Sequence, residues 1–354
     1  MLKARHAGLF YFRIQGHNLH HMDTNLNFTI APLEFEDIPH LIDCVRRCYG
    51  ESYDNPIMYD VDQLKSVIDS KQMYSVVAKL ANGQVIGHCA LSFDGKENTS
   101  PEAGKMIVDP DFRGHHIAEL IAKKRIEIAQ SLNLPGFWTE CVTNHPYSQH
   151  EMIAFNAKET GLFISNTPAS FSMQGLQNFS DTRMSLLTFY LPLKDLPRTI
   201  FLPINHQEHI QTLAQELSLK RDVLHSEIAG GGSTTYETSI TTADQIANIS
   251  IKSIGHDLLT VINSELQRLS SAKLAAIYVD LPIEQESAAN AYSQLETIGF
   301  FWGAWIPNFS KNGDVLRLQK VFKEANLDEI VCAREQGEAV KKYVIAEWRR
   351  VSQL

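Results

Sequence analysis

The sequence predicts an α/β protein of two tandem domains, each a mixed, mostly antiparallel sheet flanked by helices. Three observations lead there. At 354 residues the chain is longer than one ordinary core organises. From Phe28 to Leu191, two-residue and helical periodicities succeed one another as hairpin, strand, helix, strand, helix, strands. Beyond Leu196-Pro197-Arg198 part of that order returns. The strand starts Trp138 and Ala276 lie 138 positions apart, and so do Gly161 and Gly299, each read as closing the helix that follows. The boundaries this predicts are an extension over 1–26, one domain over 27–195 and a second over 196–354.

Each element has a local reason. Phe28-Thr29-Ile30-Ala31-Pro32 reads as a short strand, and Glu36-Asp37 opens an amphipathic helix through Leu41, Ile42, Val45 and Cys48. A second helix fits Asp60 to Ile68. Tyr74–Leu80 and Val85–Phe93 flank Asn82-Gly83, a pair suited to a hairpin turn that needs positive φ. Ala103–Val108 is a strand broken at Asp109-Pro110. The next helix buries Ile117, Leu120, Ile121, Ile128 and Leu132 and stops at Leu134-Pro135-Gly136. Phe137–Val142 is a strand and Ser148–Thr160 a helix closed by Gly161. Two strands follow, Leu162–Thr167 and Met184–Leu191. In the second half Ile249-Ser250-Ile251 leads through Ser253–Asp257 to a helix from Leu258. Gly230-Gly231-Gly232-Ser233 reads as a flexible connection, and Asp328–Trp348 as a polar amphipathic helix packed on its own domain.

Composition excludes several classes. A net charge of −9 without a basic stripe argues against a nucleic-acid partner. No run approaches eighteen apolar residues, so no membrane span is expected. Ala7–Phe12 is short for a secretory core, and His17, His20 and His21 have no fold to converge them on a metal. A loose extension, or a start at Met22, accounts for this stretch, and no metal is expected. Cys44, Cys48, Cys89, Cys141 and Cys332 are odd in number and irregular in spacing, which fits reduced thiols in a cytoplasmic protein.

The chemistry concentrates in Val108–Leu120, VDPDFRGHHIAEL. Here a strand ends and a helix begins. A helix N-terminus leaves backbone N–H groups unpaired and carries partial positive charge, so phosphates bind there. Arg113 adds a cation, and Gly114 permits close backbone approach. Those residues suit a diphosphate. The segment Ile107–Ala118 resembles the pyrophosphate-binding motif Q/R-x-x-G-x-G/A of the GNAT N-acetyltransferase superfamily, and residues 28–193 are similar to that family in element order. Arg113 fills the first position and Ala118 the last, with His116 where the family has a glycine.

The resemblance implies an acyl-CoA-dependent N-acyltransferase, acetyl-CoA the donor, with direct attack by an unidentified primary amine on the thioester. It places the diphosphate on Arg113, Gly114, His115, His116, Ile117 and Ala118, and the pantetheine arm along the backbone of Ile107 and Val108. It names Glu102, eleven positions before Arg113, as general base, with Glu140 as the runner-up. The family's acid tyrosine falls on Ala157, and Tyr147 is the candidate substitute. The second half resembles the same fold in degenerate form. Lacking an Arg at its turn and carrying Asp257, it is expected to bind no CoA. An acyl-CoA sensor without catalysis and a cofactor-free scaffold are the alternatives.

Overall fold

A computed structural model describes residues 26–353, apart from positions 54, 96, 170–181 and 324. His17, His20, His21 and Met22 lie outside the described residues. The chain runs β1 (Phe28–Pro32), α1 (Ile38–Tyr49), α2 (Val61–Asp69), β2 (Met73–Leu80), β3 (Val85–Ser92), β4 (Glu102–Val108), α3 (Ile117–Ser131), β5 (Gly136–Val142), α4 (Tyr147–Ala154), β6 (Lys158–Thr167) and β7 (Met184–Pro192). It continues with β8 (Arg198–Phe201), α5 (Ile204–Glu216), β9 (Arg221–Leu224), β10 (Thr235–Thr241), β11 (Ile246–Ser253), α6 (Leu258–Leu269), β12 (Ala276–Pro282), α7 (Ala288–Thr297), β13 (Phe301–Ser310), β14 (Gly313–Val321) and α8 (Glu335–Val351).

Periodicity places the helices. Val77, Val85 and Ile107 face one side of the first strands and pack on Leu41, Val45 and Leu64 of α1 and α2. Val76, Ala78 and Ile86 point the other way, onto Ile117 and Ile121 of α3. Each such aliphatic side chain contributes about 1.5–3 kcal/mol on burial. Asn82-Gly83 forms the expected hairpin turn, with Gly83 at φ 87°.

Twelve strands form one sheet in the order β1-β2-β3-β4-β5-β7-β6-β13-β14-β12-β11-β10. From the β6/β13 seam outward, 6-7-5-4-3 on one side corresponds to 13-14-12-11-10 on the other. Strands β4 and β5 run parallel, as do β11 and β12. Backbone irregularities repeat as well. Asn156 and Gly299 stop their helices in the left-handed region, and Ser165 and Asn308 carry left-handed bulges. Both pairs are 143 positions apart.

Four sequence expectations need correction. Leu120, read as buried, is exposed on α3. The helix read as Ser148–Thr160 ends at Ala154, because Asn156 at φ 68° stops it and Lys158–Thr167 is strand. Gly161 therefore closes no helix. It lies at the seam, paired with Ala304, where an added Cβ would collide with the backbone of Gly303 and Ala304. The C-terminal helix is not confined to the second half: α8 packs on both β6 and β13, and Arg334 holds the buried Glu159 of β6 (2.9 Å). Finally, Gly230–Ser233 is docked rather than flexible. His256 N donates to Gly232 O (3.1 Å), and Thr234 N donates to Asp257 Oδ1 (2.7 Å).

Candidate active site

Strands β4 and β5 pair at a single position, Glu102 with Trp138, and then diverge. A bulge in β4 opens them. Lys105 sits at φ 56°, and the register against β3 slips between His88 and Ala90. His88, fully buried, holds the bulge by bonding Lys105 O through Nδ1 (3.0 Å), while Nε2 meets Ser75 Oγ (3.0 Å). A carbonyl only accepts, so Nδ1 carries the proton and Nε2 accepts from the serine. Burial lowers the His88 pKa to about 3, keeping the ring neutral. The lone histidine in the apolar run Val85–Leu91 is a signal that the sequence reading passed over.

The resulting wedge holds a cavity of about 260 Å³, with Glu102, Met106, Glu140, Tyr53, Arg125 and His145 among its walls. From the end of β4 the chain leads to the α3 mouth. Arg113 is extended, Gly114 lies at φ 87° with open space where a Cβ would stand, and His116 takes the left-handed N-cap position at φ 59°. That conformation is easiest for glycine but accessible to histidine. Among the described residues, no hydrogen-bond acceptor meets the N–H groups of Gly114, His115, His116 or Ile117. The His116 side chain is 79% exposed, beside Glu119 (3.5 Å). Ile117 is buried, Ala118 half-buried. Ile107 and Val108 pair with β3 on one edge only, and Val108 O accepts from Arg113 Nε (3.3 Å) and Cys48 Sγ (3.5 Å).

The loop is anchored by charge. Arg47 of α1 meets Asp109 at 2.6 Å and Val85 O at 2.7 Å, and the Asp109 side chain is buried. Removing Arg47 would strand that carboxylate, at a cost of about 3–5 kcal/mol.

The candidate base and acid residues separate. Glu102 and Glu140 both line the wedge. Lys105 Nζ stands 3.6 Å from Glu102. Glu140 has no hydrogen-bond or ion-pair partner among the described residues. Its pKa is raised to about 8 by burial first and then by the Glu102 carboxylate, with Asp244 and Asp94 adding and Arg317 opposing. Tyr147, at the start of α4, is 65% exposed, rests against His145 and is not part of the cavity wall, whereas Tyr49 and Tyr53 of the α1 end are. Elsewhere His206, Glu296 and Glu347 converge closely enough to hold a metal ion, but Arg350 already bonds both carboxylates.

The second half differs at the corresponding place. Strands β11 and β12 stay paired from Ile246–Ala276 to Ser250–Asp280, leaving no wedge. The segment 230–234 lies across the α6 mouth. No helix among the described residues is long and apolar enough to cross a membrane.

Among solved structures, the chain is similar to a mutant form of the spermidine/spermine N-acetyltransferase SpeG from Vibrio cholerae. Identity is 18% over 47% of this chain and 95% of that one, with a TM-score of 0.36. An N-acetyltransferase from Staphylococcus aureus Mu50 is similar at 19% over 48% and 99%, TM-score 0.38. A phosphinothricin acetyltransferase from Sinorhizobium meliloti, solved with AcCoA, is similar at 16% over 47% and 89%, TM-score 0.38. No curated protein matches the chain. Residues 38–152 match the Acetyltransferase (GNAT) family, and that stretch is a GNAT acetyltransferase domain.

Proposed function

We propose that the protein is an N-acyltransferase that moves an acetyl group from acetyl-CoA to a primary amine by direct attack. The observation that carries this reading is the β4/β5 wedge together with a helix mouth, reached from the end of the same β4, whose N–H groups have no acceptor among the described residues. Diphosphate would lie on Gly114–Ala118 beside Arg113. The thioester arm would follow the edge of β4 that β5 leaves unpaired, including Ile107 and Val108. In the direct-attack reading, an ammonium must lose a proton before it attacks, and Glu140 is the group suited to take it. A carboxylate with a pKa near 8 matches the task near neutral pH. Glu102 faces the same space and supports Glu140 by like charge, which reverses the order of preference drawn from the sequence. Tyr53 replaces Tyr147 as the candidate for protonating the leaving thiolate, because it lines the cavity.

The second half reads as a degenerate copy of the same fold over about 196–354. The mirrored strand order and the 143-residue spacing of left-handed positions support that reading. Five free thiols fit the reducing cytoplasm proposed for it.

The test is thiol release from acetyl-CoA with a panel of primary amines. Glu140→Gln should lower kcat by about 10²–10⁴-fold, the usual range for a lost general base. Acetyl-CoA affinity should hold, and the rise in rate through about pH 8 should disappear. Should Glu102→Gln cause that loss while Glu140→Gln leaves the pH profile intact, the base is Glu102.

A further inference from the structure

Glu102 and Glu140 form a shared wall. On their far side opens a second cavity of about 800 Å³, bounded by the first half and by β10, β11, β12 and β14. Its size suits a small-molecule ligand. Seven carboxylates and two cationic side chains line it. The two cations are already engaged. Arg317 is bound twice by Asp280 (2.6 and 3.0 Å) and lies over the Trp138 ring at 5.1 Å, and Lys252 pairs with Glu237 at 3.3 Å. The Asp94 and Glu140 carboxylates have no hydrogen-bond or ion-pair partner among the described residues. Asp94 stands exposed at the rim of the cavity; partial loss of solvent there raises its pKa, Glu102 and Asp280 add to that, and Arg317 opposes it. Trp138 alternates with Glu140 on one face of β5. It is 4% exposed, and its indole N–H has no acceptor among the described residues. A wall with surplus carboxylate is one that a cationic ligand completes, whereas the indole N–H calls for an acceptor elsewhere on the same ligand or a water.

We infer that the acceptor is a small amine carrying a second positive charge, its reacting amine delivered to Glu140 and its second cation held at Asp94. This rests on the acyltransferase reading and extends it. The second half then serves as the acceptor side of the site: Asp280 takes the Arg317 hydrogen bonds, so Arg317 acts on Asp94 and Glu140 through its charge alone and leaves their oxygens for the substrate to bond.

The experiment compares 1,4-diaminobutane with butylamine as acceptors for the full chain, following thiol release from acetyl-CoA. The diamine should have a kcat/KM at least about tenfold higher, the scale of one partly desolvated ion pair. Asp94→Asn should narrow that gap, mainly through the KM of the diamine. In wild type, raising ionic strength from about 0.05 to 0.5 M should narrow it too, so the test does not depend on the variant folding. Equal use of the two amines, or a gap that neither salt nor the variant alters, overturns the inference and leaves the acyltransferase reading standing. Bound acetyl-CoA with no thiol release from any amine in the panel removes both.

Discussion

Strands β5 and β12 each carry a carboxylate at their fifth residue, Glu140 and Asp280, and the two have opposite fates. Asp280 is buried, grips Arg317 in a two-point ion pair and accepts from Asn248 Nδ2 (2.8 Å). Glu140 has no such partner among the described residues, and its pKa is raised to about 8, by burial first. The two residues hold the same place in their strands, but β5 has parted from β4 there while β12 is still paired with β11, and the partners differ. The helix mouths repeat the lesson. At α3 the chain turns through Gly114, and its N–H groups meet no acceptor among the described residues, while at α6 Asp257 accepts from Thr234 N and the segment 230–234 covers the turn. At the helix mouths, then, the second half meets from within the polar groups for which the first half shows no acceptor among the described residues.

Asp280→Asn should destabilise the fold by about 3–5 kcal/mol, because it leaves the buried Arg317 guanidinium without its counter-charge. Chemical denaturation measures this, and a loss below about 1 kcal/mol would mean that Arg317 finds another partner.

Gly114→Glu tests the open mouth. It puts a side chain at φ 87° and a negative charge where diphosphate is expected. Calorimetry should show acetyl-CoA affinity falling by at least about 100-fold, whereas wild type titrates as one site per chain. Two equivalent sites in wild type would mean that the covered α6 mouth also binds.

A smaller effect sharpens the contrast of the two carboxylates. Glu140 faces Glu102 from β4, Asp94 from the β3–β4 connection, Asp244 from the β10–β11 turn and Arg317 from β14. Its folded pKa is raised, to about 8 against an ordinary 4.5. The stability it contributes is therefore fully present below about pH 4.5 and is lost as pH rises through about 8. Glu140→Gln should escape that loss. The Tm of the variant relative to wild type should rise between pH 5 and pH 9, by a few degrees at most. A difference that is flat in pH would place the Glu140 carboxyl in water.

Much of the first half was legible because its signals are local. Asn82-Gly83 specifies a hairpin, and the alternation along Met73–Ser92 assigns each side chain to α1 or α3. Asp109-Pro110 followed by Arg113-Gly114 marks a strand end and a helix mouth within a dozen residues. Gly161 misled because a glycine serves either a left-handed turn or a close approach of backbones, and the letter does not distinguish them. Asn156 took the first role and Gly161 the second. The wedge was hidden too: its bulge sits at Lys105, a residue with no turn signature, held there by His88 and Ser75 from neighbouring strands.

By itself, then, the sequence determined the order of elements in the first half and the strand-to-helix turn at Arg113-Gly114, since both depend on periodicity and on backbone groups a few residues apart. The tertiary structure alone decided which carboxylate is desolvated and which is paired. Asp94, Glu140, Asp280 and Arg317 are separated by up to 223 positions, and the twelve-stranded sheet brings them to one cavity. A carboxylate's charge state depends on the neighbours and the water around it in space, and a seam between β6 and β13 sets both.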